Sequence, residues 1–272
     1  MQTKEAWDHS SHHEFVAHYA EKSQSEKDRE RFRSARDNVL RFVKERGLTA
    51  DSFDVVDIGC GPGTQCILWA EAGHRVRGLD VNEPILQLAR RNSEAAGHQI
   101  EFRLGSALDL PWPDESVDAC LGIELLEHVA DWKGCLREAM RILRPGGILY
   151  LSTTNALCPR QSEFILPAYS WYPSSIKRHY ERLAFTTRPD LANYAKYPAV
   201  NWFTPYGLKR WLEGYGFKAF DRFDLINLKH KPLIAQILVR AARSVAPLRF
   251  FGHLCTASTT LLAIKESPLP PS

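Results

Sequence analysis

The sequence predicts an α/β protein of the doubly wound kind, built on one mostly parallel sheet with helices on both faces. Three observations carry the prediction. Between residues 54 and 153, short apolar runs alternate with helix-length amphipathic stretches, the pattern of parallel strands joined by crossover helices. The first run leads straight into "GCGPGT", a turn with three alternating glycines, where such folds bring a ligand to a helix N-terminus. The chain has 272 residues, 44% hydrophobic and 25% charged, enough for one large globular core with additions.

Taken in order, residues 12 to 46 read as helices, the second starting near Ser25, and residues 1–47 form an N-terminal helical cap. Eight Lys and Arg between Lys27 and Arg46 are interleaved with acids, as on a solvated helix face. The core, 48–154, places strands at "DVVDIG" (54–59), "RVRGLD" (75–80), "IEFRLG" (100–105), "VDACLGI" (117–123) and "GILYLST" (147–153). Helices fall at about 64–72, 84–96 and 132–143, where the apolar period lengthens. "RPGG" (144–147) reads as a helix stop and turn before the fifth strand. Residues 155–203 lack periodicity and carry ten of the 29 aromatics with five prolines, which reads as an insertion folded over the sheet. The segment 204–266 completes the sheet. "TPYGLKRWLEGYGF" has a Thr-Pro helix start and a glycine stop, and "AFDRFDLI" (219–226) and "STTLLAIKE" (258–266) pair as closing antiparallel strands around a helical insert. Residues 267–272 are a Pro-rich tail.

Composition narrows the function classes. A net charge of +3 makes nucleic acid an unlikely partner, and no RNA-binding module is apparent. The six cysteines form no CxxC pair and no metal-type spacing, which suits reduced thiols in a cytoplasmic protein. The N-terminal "MQTKEAWDHSSHHEF" lacks the order of a signal peptide, and no window approaches 18 uninterrupted apolar residues.

The glycine turn runs Asp57-x-Gly59-x-Gly61-x-Gly63. A dinucleotide fingerprint needs glycine at 64, and Thr64 stands there. Bare backbone at every second position lets a ligand lie flat without cradling a pyrophosphate. A carboxylate two residues ahead, Asp57, repels phosphate and attracts a cation. Asp80, ending the second strand, is placed to accept hydrogen bonds from ribose hydroxyls. Ribose capture, no phosphate turn and negative charge at the far end describe S-adenosylmethionine; a tight turn in a ligand-free or NAD-binding fold is the competing reading.

In "VVDIGCGPGT", "GLD", "LDLPWPDESVDAC", "LLEHV" and "LRPGGILYLST" the chain resembles class I S-adenosylmethionine-dependent methyltransferases over about residues 53–155. The resemblance implies a Rossmann-like fold with a seven-stranded, mostly parallel sheet whose last strand is antiparallel. It implies Asp57, Gly59, Cys60 and Gly61 at the methionine end, Asp80 on the ribose and Val81 along the adenine. The family's "GDA" after the third strand is Gly105-Ser106-Ala107 here, so Ser106 and Ala107 would contact adenine without a charge.

"GIELLEHVADW" places Glu124, Glu127 and His128 at i, i+3 and i+4, on one face if helical. Three readings stay open: a polar cluster supporting the cofactor pocket, catalysis with His128 as general base alongside Glu127, or a divalent cation such as Mg²⁺ held by Glu124, Glu127 and His128. The stretch is similar to that of ubiquinone-biosynthetic O-methyltransferases and of small-RNA 2'-O-methyltransferases, whose Glu-x-x-Glu-His binds metal. Ile123 matches a cofactor-contacting position of the quinone enzymes.

The aromatic insertion is the expected lid. Its ten rings and six Lys/Arg against three acids favour a flat or apolar acceptor with some negative charge. Tyr169, Trp171, His179 and Trp202 are its acceptor-facing candidates, and a small accessory core is the alternative use of the rings. Trp7, His12, His13 and Tyr19 suggest a second flap. From Leu225 to Lys265 there is no acid, and Leu233, Ile234, Ile237, Leu238, Ala241 and Val245 form a helical stripe opposite Gln236, Arg240 and Arg243. Such a helix docks on its own protein or a second subunit, as in a homodimer, or lies on the anionic inner face of a membrane. The expected activity is methyl transfer to a small-molecule hydroxyl, the acceptor being aromatic or lipid-like. RNA or glycan methylation and a non-catalytic cofactor-binding subunit are the alternatives.

Overall fold

The computed structural model describes residues 25–48, 51–192, 198–229 and 231–266. The proposed flap residues Trp7, His12, His13 and Tyr19 and the tail 267–272 lie outside the described residues, as does the helical reading of 12–24.

A helix α1 (Glu26–Lys44) precedes β1 (Asp54–Ile58), α2 (Thr64–Glu71), β2 (Arg75–Asp80), α3 (Glu83–Ala95), β3 (Glu101–Leu104) and β4 (Val117–Ile123). Then come α4 (Trp132–Ile142), β5 (Leu143–Thr154), α5 (Ser174–Thr186), α6 (Pro205–Glu213) and β6 (Phe217–Asp221). The chain closes with the short α7 (Arg222–Leu225), α8 (Leu233–Ser244), α9 (Ala246–Leu254) and β7 (Ser258–Lys265). The strands form one seven-stranded sheet in the order β3-β2-β1-β4-β5-β7-β6. Only β7 runs against its neighbours, β5 and β6. The sequence prediction of a mostly parallel sheet with an antiparallel last strand therefore holds.

The strands are apolar at successive positions because both faces are covered. Val56, Ile58, Cys120, Leu149 and Leu151 face one layer, with α4 and α6 contributing Leu136, Ile142, Leu208 and Leu212. Val55, Leu121, Ile148 and Tyr150 face the other, where Val39, Phe42, Trp69 and Leu86 cover them from α1, α2 and α3. The helix starts follow local chemistry. Asn82 caps α3 by accepting from the Ile85 N–H at 3.2 Å, and Thr204 caps α6 by accepting from Gly207 at 3.0 Å, contacts of about 1 kcal/mol each.

Two expectations about local structure are corrected. "RPGG" is no free turn: α4 hands over directly to β5 at Leu143, and the four residues bulge within the strand. The pairing jumps from Val117–Leu143 to Ala119–Ile148, with Gly146 at φ 78°. Arg144 pins the bulge through Asp118 at 2.6 Å and Asp54 at 3.3 Å. The strand expected over 219–226 ends at Asp221, because Asp221 and Asp224 form a capping box that starts a helical turn.

The insertion folds around its own small core of Phe164, Tyr169, Ala184, Leu191 and Ala192. Phe164 stacks on Tyr169 at 4.0 Å, and Trp202 meets Tyr169 edge-on at 5.6 Å. Stripe residues of α8 point outward: Leu233, Ile234, Ile237 and Leu238 are 68%, 73%, 54% and 64% exposed, and Ala242 is the buried residue of the helix. The described part of the protein does not cover this apolar face, so of the readings given above the described residues do not supply docking within the chain.

Candidate active site

The C-terminal ends of β1, β2 and β4 converge where doubly wound sheets bind ligands. After β1 the chain turns through Gly59 (φ 71°), Gly61 (φ 52°) and Gly63 (φ 81°), with the Gly59 and Cys60 amides donating to the Leu79 carbonyl at 2.7 and 3.0 Å. These glycines differ in purpose. A Cβ at Gly59 would stand 2.8 Å from the Leu125 side chain, so that glycine lets the β4 loop press against the turn. A Cβ at Gly61 would meet nothing within 4 Å, leaving bare backbone open to a ligand.

Two carboxylates flank this backbone. Asp80 is held by the Gly61 amide on Oδ2 (2.9 Å) and the Asn82 amide on Oδ1 (3.0 Å). Burial pushes it above the usual carboxylate range despite those donors. Asp57 is 3% exposed, and among the described residues the one side chain donating to it is the Cys66 thiol, 3.6 Å from Oδ2. Burial pushes Asp57 up to about 7, a weak thiol hydrogen bond opposes this, and the nearby Asp80 adds to it. A buried carboxylate with no cation beside it among the described residues, next to a second carboxylate and exposed glycine backbone, fits a positively charged, phosphate-free nucleoside. The backbone opening at Gly61 gives it room.

The remaining predicted cofactor residues surround this turn. Val81 is 49% exposed just past Asp80. Ser106 is exposed, its Oγ accepting from the Leu108 amide at 3.1 Å, and Ala107 is buried at 7%. Cys60 is buried at 6%, and its thiol is held well above the usual range by burial first and by the neighbouring thiol and carboxylates second. Ile123, at the end of β4, is half-buried and lines a cavity beyond the turn.

"GIELLEHVADW" is no helix before Trp132, which corrects the expectation of one helical face. β4 stops because Glu124 takes φ 52°, an unfavourable conformation for a residue with a Cβ. Its amide donates to the Ser152 carbonyl at 2.7 Å and its Oε1 accepts from the Ser152 hydroxyl at 2.8 Å. Glu127 points inward, 1% exposed, with Oε2 accepting from Thr153 at 2.7 Å and Oε1 buried without a partner. Burial, then the Glu124 charge, holds the Glu127 carboxyl well above the usual carboxylate range. His128 follows on the same turn, half-buried, its amide donating to Leu125. Among the described residues no three His, Cys, Asp or Glu side chains form a metal-ligating group. The divalent-cation set Glu124–Glu127–His128 is not assembled, because Glu124 turns toward Ser152 while Glu127 turns toward Thr153.

The turn is fixed by a residue that the sequence reading missed. Asn201 Nδ2 donates to the carbonyls of Leu126 (2.9 Å) and Val129 (2.7 Å), while the Val200 and Asn201 amides reach the Glu127 carbonyl at 2.8 and 3.2 Å. The insertion is thereby fastened to the Glu-His turn. Of its expected acceptor-facing residues, Tyr169 is fully buried and Trp202 packs on it, whereas Trp171 (57% exposed) and His179 are on the surface. Most of the rings hold the insertion together.

A family profile described as a methyltransferase domain matches residues 56–151. A demethylmenaquinone methyltransferase of Tropheryma whipplei is 32% identical over 175 residues, 64% of this chain and 70% of that protein. The chain belongs to the S-adenosylmethionine-dependent methyltransferases. A ubiquinone biosynthesis O-methyltransferase of Sinorhizobium medicae is 32% identical over 132 residues, 47% of this methyltransferase and 53% of that one. The chain spans about half the length of such curated relatives. A chain of the complex between the Haloferax volcanii Trm112 methyltransferase activator and a methyltransferase shares the fold, with a TM-score of 0.58 and 20% identity over 93% of this chain and 98% of that one. The Rossmann-like arrangement read from the sequence agrees with these neighbours.

Proposed function

We propose that the protein binds S-adenosylmethionine at the glycine turn and transfers its methyl group to the hydroxyl of a small, aromatic or lipid-like acceptor. The observation that carries this is the buried Asp57, pushed up to about 7 by burial and with no cation beside it among the described residues, next to the open backbone of Gly61. When bound, S-adenosylmethionine supplies an electrophilic methyl on a good leaving group. The protein's own part is placement. Asp57 faces the ammonium, Asp80 accepts from the ribose hydroxyls, and Val81, Ser106 and Ala107 form the adenine edge. Ile123 closes the side toward the acceptor. Orientation of this kind, with water excluded, is worth up to roughly 7–11 kcal/mol of barrier.

His128 is the base that takes the acceptor's proton, and Glu127 positions it by anchoring the turn to Thr153 and, through its carbonyl, to Val200 and Asn201. Relatives named for ubiquinone and demethylmenaquinone support a quinone-like ring as acceptor. They include both an O-methyltransferase and an enzyme without that prefix, so oxygen as the methylated atom rests on His128. The outward apolar face of α8, continued by Phe251 (61% exposed) on α9, has Lys229, Lys231 and Arg240 exposed around it and no acid between Asp224 and Glu266. That charge pattern suits the anionic inner face of a bilayer as the place where a lipid-like acceptor is met. No helix among the described residues is long and apolar enough to cross a membrane.

The test is a labelled-methyl assay with catechols, sugars and RNA as acceptors. Label should enter the catechol oxygen and fall about 10²–10⁴-fold in His128→Ala. Label in RNA, or none in any acceptor while S-adenosylmethionine binds, would overturn the reading.

A further inference from the structure

A second cavity of about 240 Å³ opens beside Ile123, toward α1. It sits one step along the sheet from the cofactor turn, at the ends of β4, β5 and β7, with Tyr150, Ser152 and Thr260 on its floor. Among the described residues two cations line it, Arg31 from α1 and Arg222 from the start of α7.

Arg222 is the unusual one. Its Nη2 donates to the hydroxyls of Ser258 (3.0 Å) and Thr260 (3.1 Å), and its Nε is buried without a partner. Among the described residues it makes no ion pair. The adjoining Asp221 is already engaged by Arg249 at 2.7 Å and His253 at 2.9 Å. No acid is among the described residues that line the cavity, and Glu124, next to Ile123 in the chain, accepts from Ser152. Both arginines act on the Tyr150 phenol, favouring its ionised form, although burial dominates and pushes the phenol up to about 12. A half-buried guanidinium without a carboxylate is costly unless something negative arrives. Arg243 of α8 bonds the carbonyls of Phe223 (2.8 Å) and Ile226 (2.8 Å), so the turn carrying Arg222 is braced.

We propose that Arg222, with Arg31 across the same cavity, is an anion subsite that takes the acidic head group of the methyl acceptor. This rests on the methyl-transfer reading and narrows its acceptor to a hydroxylated acid. Ser258 and Thr260 hold the guanidinium in place, and the serine and threonine hydroxyls around it complete the shell of the bound oxyanion. A neutral phenol leaves Arg222 unpaired and is discriminated against for that reason.

The experiment is calorimetric titration of the full chain with 4-hydroxybenzoate, phenyl phosphate and the neutral 4-hydroxybenzamide, together with S-adenosylmethionine as a separate titrant. The acid should bind about 10- to 100-fold tighter than the amide, the yield of a charge-assisted hydrogen-bonded pair. Arg222→Gln should bring the acid to the level of the amide while S-adenosylmethionine affinity is kept, and Arg222→Lys should retain part of the preference. Tighter binding of phenyl phosphate than of 4-hydroxybenzoate would identify the head group as a phosphate. Equal affinity for acid and amide, failure of every acceptor probe to bind while S-adenosylmethionine binds, or an unchanged preference in both variants would overturn the proposal. Should Arg222→Gln fail to fold, the wild-type acid-to-amide ratio and the lysine variant decide. Failure of the wild type to bind S-adenosylmethionine would instead strike at the methyl-transfer reading.

Discussion

Asp57 offers the most quantitative prediction. Its carboxyl is raised from 3.8 to about 7, chiefly by burial. Because the folded value lies above the unfolded one, the native state binds the extra proton, and stability is lost as pH rises from about 4 to about 7. The three-unit difference corresponds to about 4 kcal/mol of destabilisation, complete above pH 7. A ligand ammonium beside the carboxylate removes that penalty, so binding and deprotonation of Asp57 are linked. With bound Asp57 fully ionised, the dissociation constant scales as one plus the ratio of protonated to ionised free enzyme. It falls about tenfold, or about 1.4 kcal/mol, between pH 6 and pH 8. The ligand's own α-amino group titrates at about 7.7–8.0, so the quantity to read is the difference between wild type and Asp57→Asn. Calorimetry in two buffers of different ionisation enthalpy should show wild type releasing a proton on binding below pH 7 and Asp57→Asn releasing less. The unliganded variant should also melt higher than wild type at pH 8 and close to it at pH 4. Identical pH profiles in the two proteins would show that Asp57 is not the group that meets the ammonium.

Gly61→Ala meets no atom but forces alanine to φ 52°, so it should cost about 1–2 kcal/mol in denaturant titration while cofactor affinity falls much further; parallel losses would remove Gly61 from the site. Asp221 is buried yet held below the usual range, because hydrogen bonds from His253 and Arg249 outweigh the desolvation that raises it. Its contribution is present above about pH 4 and fades as pH falls through the lowered folded value, so Asp221→Ala should cost about 3–5 kcal/mol at pH 7 and progressively less in acid, measured by thermal melts. Asn201→Ala should leave cofactor binding near wild type but lower methyl transfer, since it frees the Leu126 and Val129 carbonyls that fix the Glu-His turn; unchanged turnover would make that anchor irrelevant. Ile234→Glu with Leu238→Glu should abolish sedimentation with vesicles containing anionic lipid without changing the melting temperature, and unaltered sedimentation would remove α8 from the contact.

The sheet was legible because its information is local. Val55 and Val56, or Leu149 and Tyr150, alternate between two covered faces, and the turn residues between strands are glycines with positive φ. The placement of Asp57, Gly61 and Asp80 was legible for the same reason, as they lie at fixed offsets from strand ends, whereas their role toward a cofactor is what we propose. What failed depended on pairings that sequence spacing does not encode. The i, i+3, i+4 spacing of Glu124, Glu127 and His128 suggested one helical face, but the Ser152 and Thr153 hydroxyls from β5 draw the two carboxylates onto different partners and no helix forms. Asn201 lies 72 residues beyond the Val129 carbonyl it binds, so nothing nearby marked it. Arg222 had a readable signal that was passed over: Asp221-x-x-Asp224 is a capping pattern, which ends β6 and turns the next side chain toward the cavity. The apolar stripe of α8 was legible as a stripe, and what covers it was not, because amphipathicity states that a face needs a partner and does not name it.

The central claim is that the glycine turn and its two acids recognise a cationic nucleoside without phosphate. Calorimetric titration of the wild-type protein at pH 8 with S-adenosylmethionine and, separately, with NAD tests it most directly. Saturable one-site binding of the first and none of the second is expected. Uptake of NAD with no response to S-adenosylmethionine would contradict it.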